Sequence, residues 1–242
     1  MAAGKAPRRM LVPRRTGLGG AARTPSGGTH LSLVPIAVGA IFAILGAAAE
    51  RLASAWPPDE ASQMAPGPRT IVLAALSGLS GAAIAARSEL PWWATAVYLV
   101  LLGLMIVLAA TDLDQRRLPH VILDPLIVLA VVFVPFNPAV EPLSAVIAAV
   151  AAVGFLGALA LLVRGGLAVG DLYLVAPIGL MLGWPAIFTA LFAAAFLAAG
   201  TSLVLLAARR VGMRSYIPFG PFLVGGAVLA LVLANGTLTV VR

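Results

Sequence analysis

Apolar residues run through this chain in long blocks separated by short polar stretches. Eight blocks can be delimited, at roughly 31–49, 69–87, 91–111, 121–136, 143–163, 172–183, 186–208 and 221–239. They lack the polar-apolar alternation of membrane-crossing barrel strands, which would extend over about ten positions per strand. They also lack the one-sided stripe of a helix lying on a soluble core; they are apolar on every side. The blocks therefore predict helices, most of them close to the about 20 residues that a bilayer crossing needs. The expected fold is all-α: a polytopic integral membrane protein with about 7–8 transmembrane helices. The sixth block is short and flanked by Gly183, Trp184 and Pro185, so its limits are the least defined. The stretch 50–68 is polar and Pro-rich and reads as a loop. No internal repeat stands out.

Composition narrows the class. Hydrophobic residues make up 61% of the 242 and charged residues 10%, with a mean hydropathy of +1.05. Soluble domains are about 45–50% apolar and about 25% charged. A chain this apolar cannot enclose its surface in one core, so a soluble enzyme is excluded and the lipid bilayer is the expected surrounding. The net charge of +7 would suggest nucleic acid in a soluble protein. Here the basic residues sit in tails and short loops, where orientation signals belong, and no nucleic-acid partner is expected. Zero cysteines remove disulfides, Cys-ligated zinc and thiol catalysis, and two histidines, His30 and His120, are too few for a His-based metal site. No metal and no cofactor are expected.

Residues 1–30, with six basic residues among Gly, Pro, Ser and Thr, read as a disordered basic tail, and 31–239 as one transmembrane domain. Arg116 and Arg117 follow the third block, Arg164 the fifth, and Arg209, Arg210 and Arg214 the seventh, whereas the loops at 137–142 and 184–185 hold no Lys or Arg. The positive-inside rule then puts the Arg-bearing loops in the cytoplasm. Counting back through three spans places the basic tail outside, against the same rule, which points to one of the first two blocks not spanning fully.

Of the nine acids, Glu50, Asp59, Glu60, Glu89 and Glu141 fall in loops. Asp112 and Asp114 close the third block, Asp124 stands just inside the fourth before Pro125, and Asp171 lies between two long apolar stretches. Acids at such depth are costly and usually functional. On the topology above, Asp112 and Asp171 share one membrane border. Facing each other, two carboxylates can hold a single proton, leaving one ionised as a base toward water and one as an acid toward a peptide carbonyl. Each has a structural alternative: Asp112 and Asp114 as interfacial ion pairs with Arg116 and Arg117, Asp171 as the N-cap of the sixth helix. Asp124 and His120 read as structural or interfacial.

The wording around these acids carries a resemblance. Asp112-Leu-Asp-Gln-Arg-Arg-Leu-Pro119 resembles the D-x-x-x-x-x-[LI]-P signature of the type IV prepilin peptidase family, a GxGD-type group of intramembrane aspartic peptidases. Gly170-Asp171, after Gly165-Gly166, is similar to the end of its G-x-G-D motif, and Ile217-Pro218-Phe219-Gly220-Pro221 to its I-P-F-G-P stretch before the last helix. The resemblance implies Asp112 and Asp171 as the catalytic pair, with Asp114, Gly170, Pro119, Tyr173, Pro218 and Gly220 as positioning or secondary candidates. It implies as substrate a prepilin or pseudopilin precursor helix bearing a short basic leader. The leader is cut after a glycine at the cytoplasmic face of a bacterial inner membrane. Three positions depart from the family pattern. Ala168 replaces the first glycine of G-x-G-D and is less free at positive φ; Tyr173 stands where lysine is common; His120 replaces an Asp or Asn. The long members carry a cytosolic cysteine-bearing insertion between the first two helices, associated with N-methylation, so the resemblance is to the short, peptidase-only form. The alternatives are a degenerate homologue serving as an assembly scaffold, and a small transporter using Asp112 and Asp171 as ion sites.

Overall fold

The computed structural model describes residues 33–57, 62–162, 168–210, 212, 217–233, 238 and 240. The basic tail over 1–30, and with it Asp59, Glu60, Arg164, Gly165, Gly166 and Arg214, lie outside them. Among the described residues every regular element is helical: α1 (Leu33–Ala55), α2 (Pro68–Arg87), α3 (Trp92–Gln115), α4 (His120–Phe133, continued by a 3-10 turn over Val134–Phe136), α5 (Pro142–Leu162), α6 (Val169–Leu182), α7 (Ala186–Ala207) and α8 (Gly220–Leu233). Each apolar block is a helix, as its all-round apolar character requires, and the fold is that of a polytopic membrane protein.

The helices α1, α2, α3, α5 and α7 are long and apolar enough to cross a membrane. Both of the first two qualify by length and composition. The short helices are instead α4, α6 and α8, of 14 residues each. At about 1.5 Å per residue such a helix is about 21 Å long, less than the about 30 Å of a hydrocarbon core. Two further boundaries differ from the sequence reading. The helix α1 runs on through Glu50 and Ser54, both buried, to Ala55, so the stretch 50–55 is not loop. It can continue because residues at the start of α2 satisfy the Glu50 carboxylate. The helix α3 runs to Gln115, carrying Asp112 and Asp114 within its last turn.

Odd-numbered helices run toward one end of the bundle and even-numbered helices return. At that end the Gln115 amide donates to the carbonyls of Ala53 (2.7 Å) and Trp56 (2.8 Å), tying α3 to α1. Helix α3 lies centrally against α1, α2, α4 and α8 and contributes the buried Tyr98, Leu101, Leu102, Met105 and Leu108. Large apolar side chains such as Ile44, Val150, Phe196 and Leu203 remain exposed on the outside, where lipid is their solvent.

Small residues let the helix backbones approach. A methyl group at Gly179 of α6 would lie 2.7 Å from the backbone nitrogen of Ala149 in α5. Gly179→Val is therefore expected to cost about 1–3 kcal/mol, read as a lowered Tm in detergent. At the opposite end of the bundle from Asp112, the buried Tyr98 hydroxyl donates to the Met181 carbonyl (2.9 Å) and receives the Asn137 amide (3.0 Å). That network joins α3, α6 and the chain before α5, and leaves those buried polar groups paired.

Candidate active site

Positions two apart on a helix point about 200° away from each other. Asp112 and Asp114 therefore face different neighbours, and the structure separates them accordingly. Asp112 is only 4% exposed. Its Oδ2 accepts the backbone N–H of Gly220, the first residue of α8, at 2.9 Å. The helix ends one turn later at Arg116, in the left-handed region at φ 57°, whose N–H donates to the Asp112 carbonyl (2.9 Å).

Asp171 is 1% exposed and lies in the first turn of α6. The N-cap is Ala168, not Asp171, which corrects the capping alternative. The Asp171 Oδ2 folds back to accept the Ala168 N–H at 3.2 Å, while the Asp171 N–H donates to the Ala168 carbonyl at 3.0 Å. Each carboxylate thus rests on a backbone N–H at a helix N-terminus, where the positive end of the helix dipole favours negative charge.

The two acids line one cleft of about 300 Å³, together with Leu118, Ala168, Gly170 and, at its rim, Arg116, Arg117, His120 and Tyr173. Gly170 sits at a close approach: a methyl there would lie 3.1 Å from Leu118 Cδ1, in the segment that leads through Pro119 into α4. Ala168 needs no glycine. Its φ of −82° and ψ of 149° are extended backbone open to any residue, so the expected penalty at this departure from G-x-G-D does not arise.

Tyr173 is 48% exposed and meets His120 edge-on, with ring centroids 5.7 Å apart. Among the described residues it makes no hydrogen bond to either carboxylate. His120 Nδ1 lies 3.1 Å from Asp124 Oδ1 on the exposed side of α4, in keeping with a structural part for Asp124. Pro218 lies just ahead of Phe219, whose carbonyl accepts the N–H groups of Phe222 (3.0 Å) and Leu223 (3.1 Å) as α8 begins. Asp114 stands outside the cleft. Its side chain binds Arg69 Nη2 (2.7 Å), Ser62 Oγ (2.6 Å) and the Ser62 N–H (3.0 Å), in place of the ion pairs with Arg116 or Arg117 considered above. Sequence reasoning missed Arg69 and left Glu50 as an ordinary loop acid. Glu50 is in fact buried, accepts Thr70 Oγ1 at 2.8 Å and lies 3.6 Å from Arg69 Nε. An isolated arginine at the start of an apolar block carries no signal for a partner 45 positions away.

The region that holds both acids is also the one that a family comparison matches. Residues 99–203 match the type IV leader peptidase family. The resemblance carried by the motifs is thereby borne out. Relatives include the prepilin leader peptidase/N-methyltransferase of Aeromonas salmonicida strain A449, 29% identical over 156 residues, covering 62% of this chain and 53% of that protein. The protein of the same name from Aeromonas hydrophila is 30% identical over 149 residues, 59% of this chain and 51% of its own length. The Bacillus subtilis strain 168 protein of that name is 28% identical over 147 residues, 58% and 56%. The chain spans about half the length of the curated relatives it matches. No solved structure matches. The type IV leader peptidase match ends at residue 203, so the Ile217–Pro221 stretch lies beyond it. The N–H of Gly220 on Asp112 nevertheless ties that stretch to one of the two acids.

Proposed function

We propose that this chain is an aspartic endopeptidase of the bacterial inner membrane. It removes the short basic leader from a prepilin-like or pseudopilin precursor at the cytoplasmic face. The observation that carries the reading is the meeting of Asp112 from α3 and Asp171 from α6 in one cleft, each carboxylate held by a backbone N–H. Kinship to the type IV leader peptidase family supports the reaction class. Orientation is supported by Arg51, Arg69, Arg116, Arg117, Arg209 and Arg210, which gather at the cleft end of the helices.

In this mechanism the apolar helix of the substrate lies against the bundle and its leader junction enters the cleft. One ionised aspartate takes a proton from water as the oxygen attacks the scissile carbonyl carbon; the other gives its proton to the carbonyl oxygen. The tetrahedral diol then collapses: the C–N bond breaks, the leaving nitrogen takes a proton from the first acid, and the second recovers its own from the diol. No covalent enzyme intermediate forms. The short helices α4, α6 and α8 all begin at the cleft, and their length is consistent with a site recessed below the membrane surface. Water and peptide then meet in a low-dielectric surrounding, where charge on a carboxylate acts more strongly.

Co-expression with a prepilin-like protein from the same genome, followed by gel shift and mass spectrometry, tests this. The expected result is cleavage directly after the leader glycine; an unprocessed precursor beside well-inserted enzyme overturns it. Ala168→Gly should leave the rate within about twofold, because the backbone there never leaves the extended region. A tenfold gain would mean that the alanine does restrict the loop.

A further inference from the structure

The mechanism leaves one charged cluster unused. Glu50 on α1, Arg69 and Thr70 on α2, Ser62 in the connector, and Asp114 on α3 form a continuous polar network. Arg69 stands at its centre, with Nη2 2.7 Å from Asp114 Oδ1 and Nε 3.6 Å from Glu50 Oε1. The Asp114 side chain is fully enclosed, and Gln115 beside it is tied to the carbonyls of Ala53 and Trp56. These bonds grip the last turn of α3 on the face opposite Asp112, whose own carboxylate is held by Gly220. The turn is therefore clamped from two sides. The segment after it leaves the helix at once through the left-handed Arg116.

We infer that Arg69, acting through Asp114, is a positioning residue that sets where the Asp112 carboxylate stands in the cleft. The inference rests on the aspartic-peptidase reading. It assigns to the α1–α2 connector a part in catalysis, although no described residue of that connector lines the cleft. Glu50 completes the grip: it shares the guanidinium with Asp114 and is itself fixed by Thr70, so a swing of Arg69 toward solvent would leave two enclosed carboxylates without their cation.

The test uses the full chain in detergent with a reporter carrying a short basic leader that ends in glycine, joined to an apolar helix. Arg69→Met, Arg69→Lys, Asp114→Asn and the Arg69→Met/Asp114→Asn double variant are compared for kcat, KM and Tm. Arg69→Met is expected to lower kcat at least tenfold with KM within twofold. The double variant should be no worse than Arg69→Met alone, and Arg69→Lys should recover part of kcat. Asp114→Asn keeps the side-chain shape and gives the same readout if Arg69→Met folds poorly. A kcat within twofold in both Arg69→Met and Asp114→Asn overturns the role while leaving the peptidase reading intact. So does a fall in kcat that follows Tm and is independent in the two single variants. If the unaltered protein fails to cut any such reporter, the peptidase reading falls and this role with it.

Discussion

Asp112→Asn and Asp171→Asn should each lower leader removal by about a thousandfold, with both variants still inserted and folded. The amide is the right replacement because its oxygen can still accept the N–H of Gly220 or of Ala168, so the helix starts stay capped. What asparagine cannot do is exchange a proton, and the proposed reaction needs one carboxylate to accept and the other to donate. Stability should change little, since the replacement keeps the hydrogen bond to the backbone N–H. Mass spectrometry of the precursor reads the activity, and detergent Tm reads the fold. Cleavage retained by either variant would sink the dyad and favour a scaffold or transport role for these acids.

Gly220→Ala should lower kcat by about a hundredfold, although it adds a single methyl group outside the residues that do the chemistry. That methyl would lie 2.6 Å from Asp112 Oδ2 and 3.2 Å from its Cγ. Either the carboxylate turns away from the Gly220 N–H or the start of α8 moves off α3. Both displace the carboxylate that the proposed mechanism sets against the scissile bond, and an ångström of misplacement costs about two orders of magnitude in rate. Rotating one side chain is easier than moving a helix, so Tm should stay within a few degrees. Gly154→Ala, where a methyl would meet nothing within 4 Å, is the control and should cut at the parental rate. Equal rates for Gly220→Ala and the control would show that the Gly220 contact does not govern the position of Asp112.

Much of this protein was legible along the chain. Eight apolar blocks yield eight helices because, without water, each backbone polar group must be bonded within its own segment, and only a helix does that. Two acids set beside long apolar stretches stood out because charge in that setting is costly, and both belong to the region that matches the leader peptidase family. The tertiary structure alone decided which acids go together. Asp112 and Asp114 look alike in the sequence, yet two steps on a helix turn one toward α8 and the cleft and the other toward Arg69. Glu50 was indistinguishable from a loop acid until α2 folded against α1 and enclosed it. Ala168 looked like a lost glycine until its φ was known. Local pattern determines what each segment becomes, because hydropathy and backbone hydrogen bonding act over neighbouring residues. Which carboxylate meets which N–H depends on contacts between segments up to 108 positions apart, as between Asp112 and Gly220, and only packing sets those.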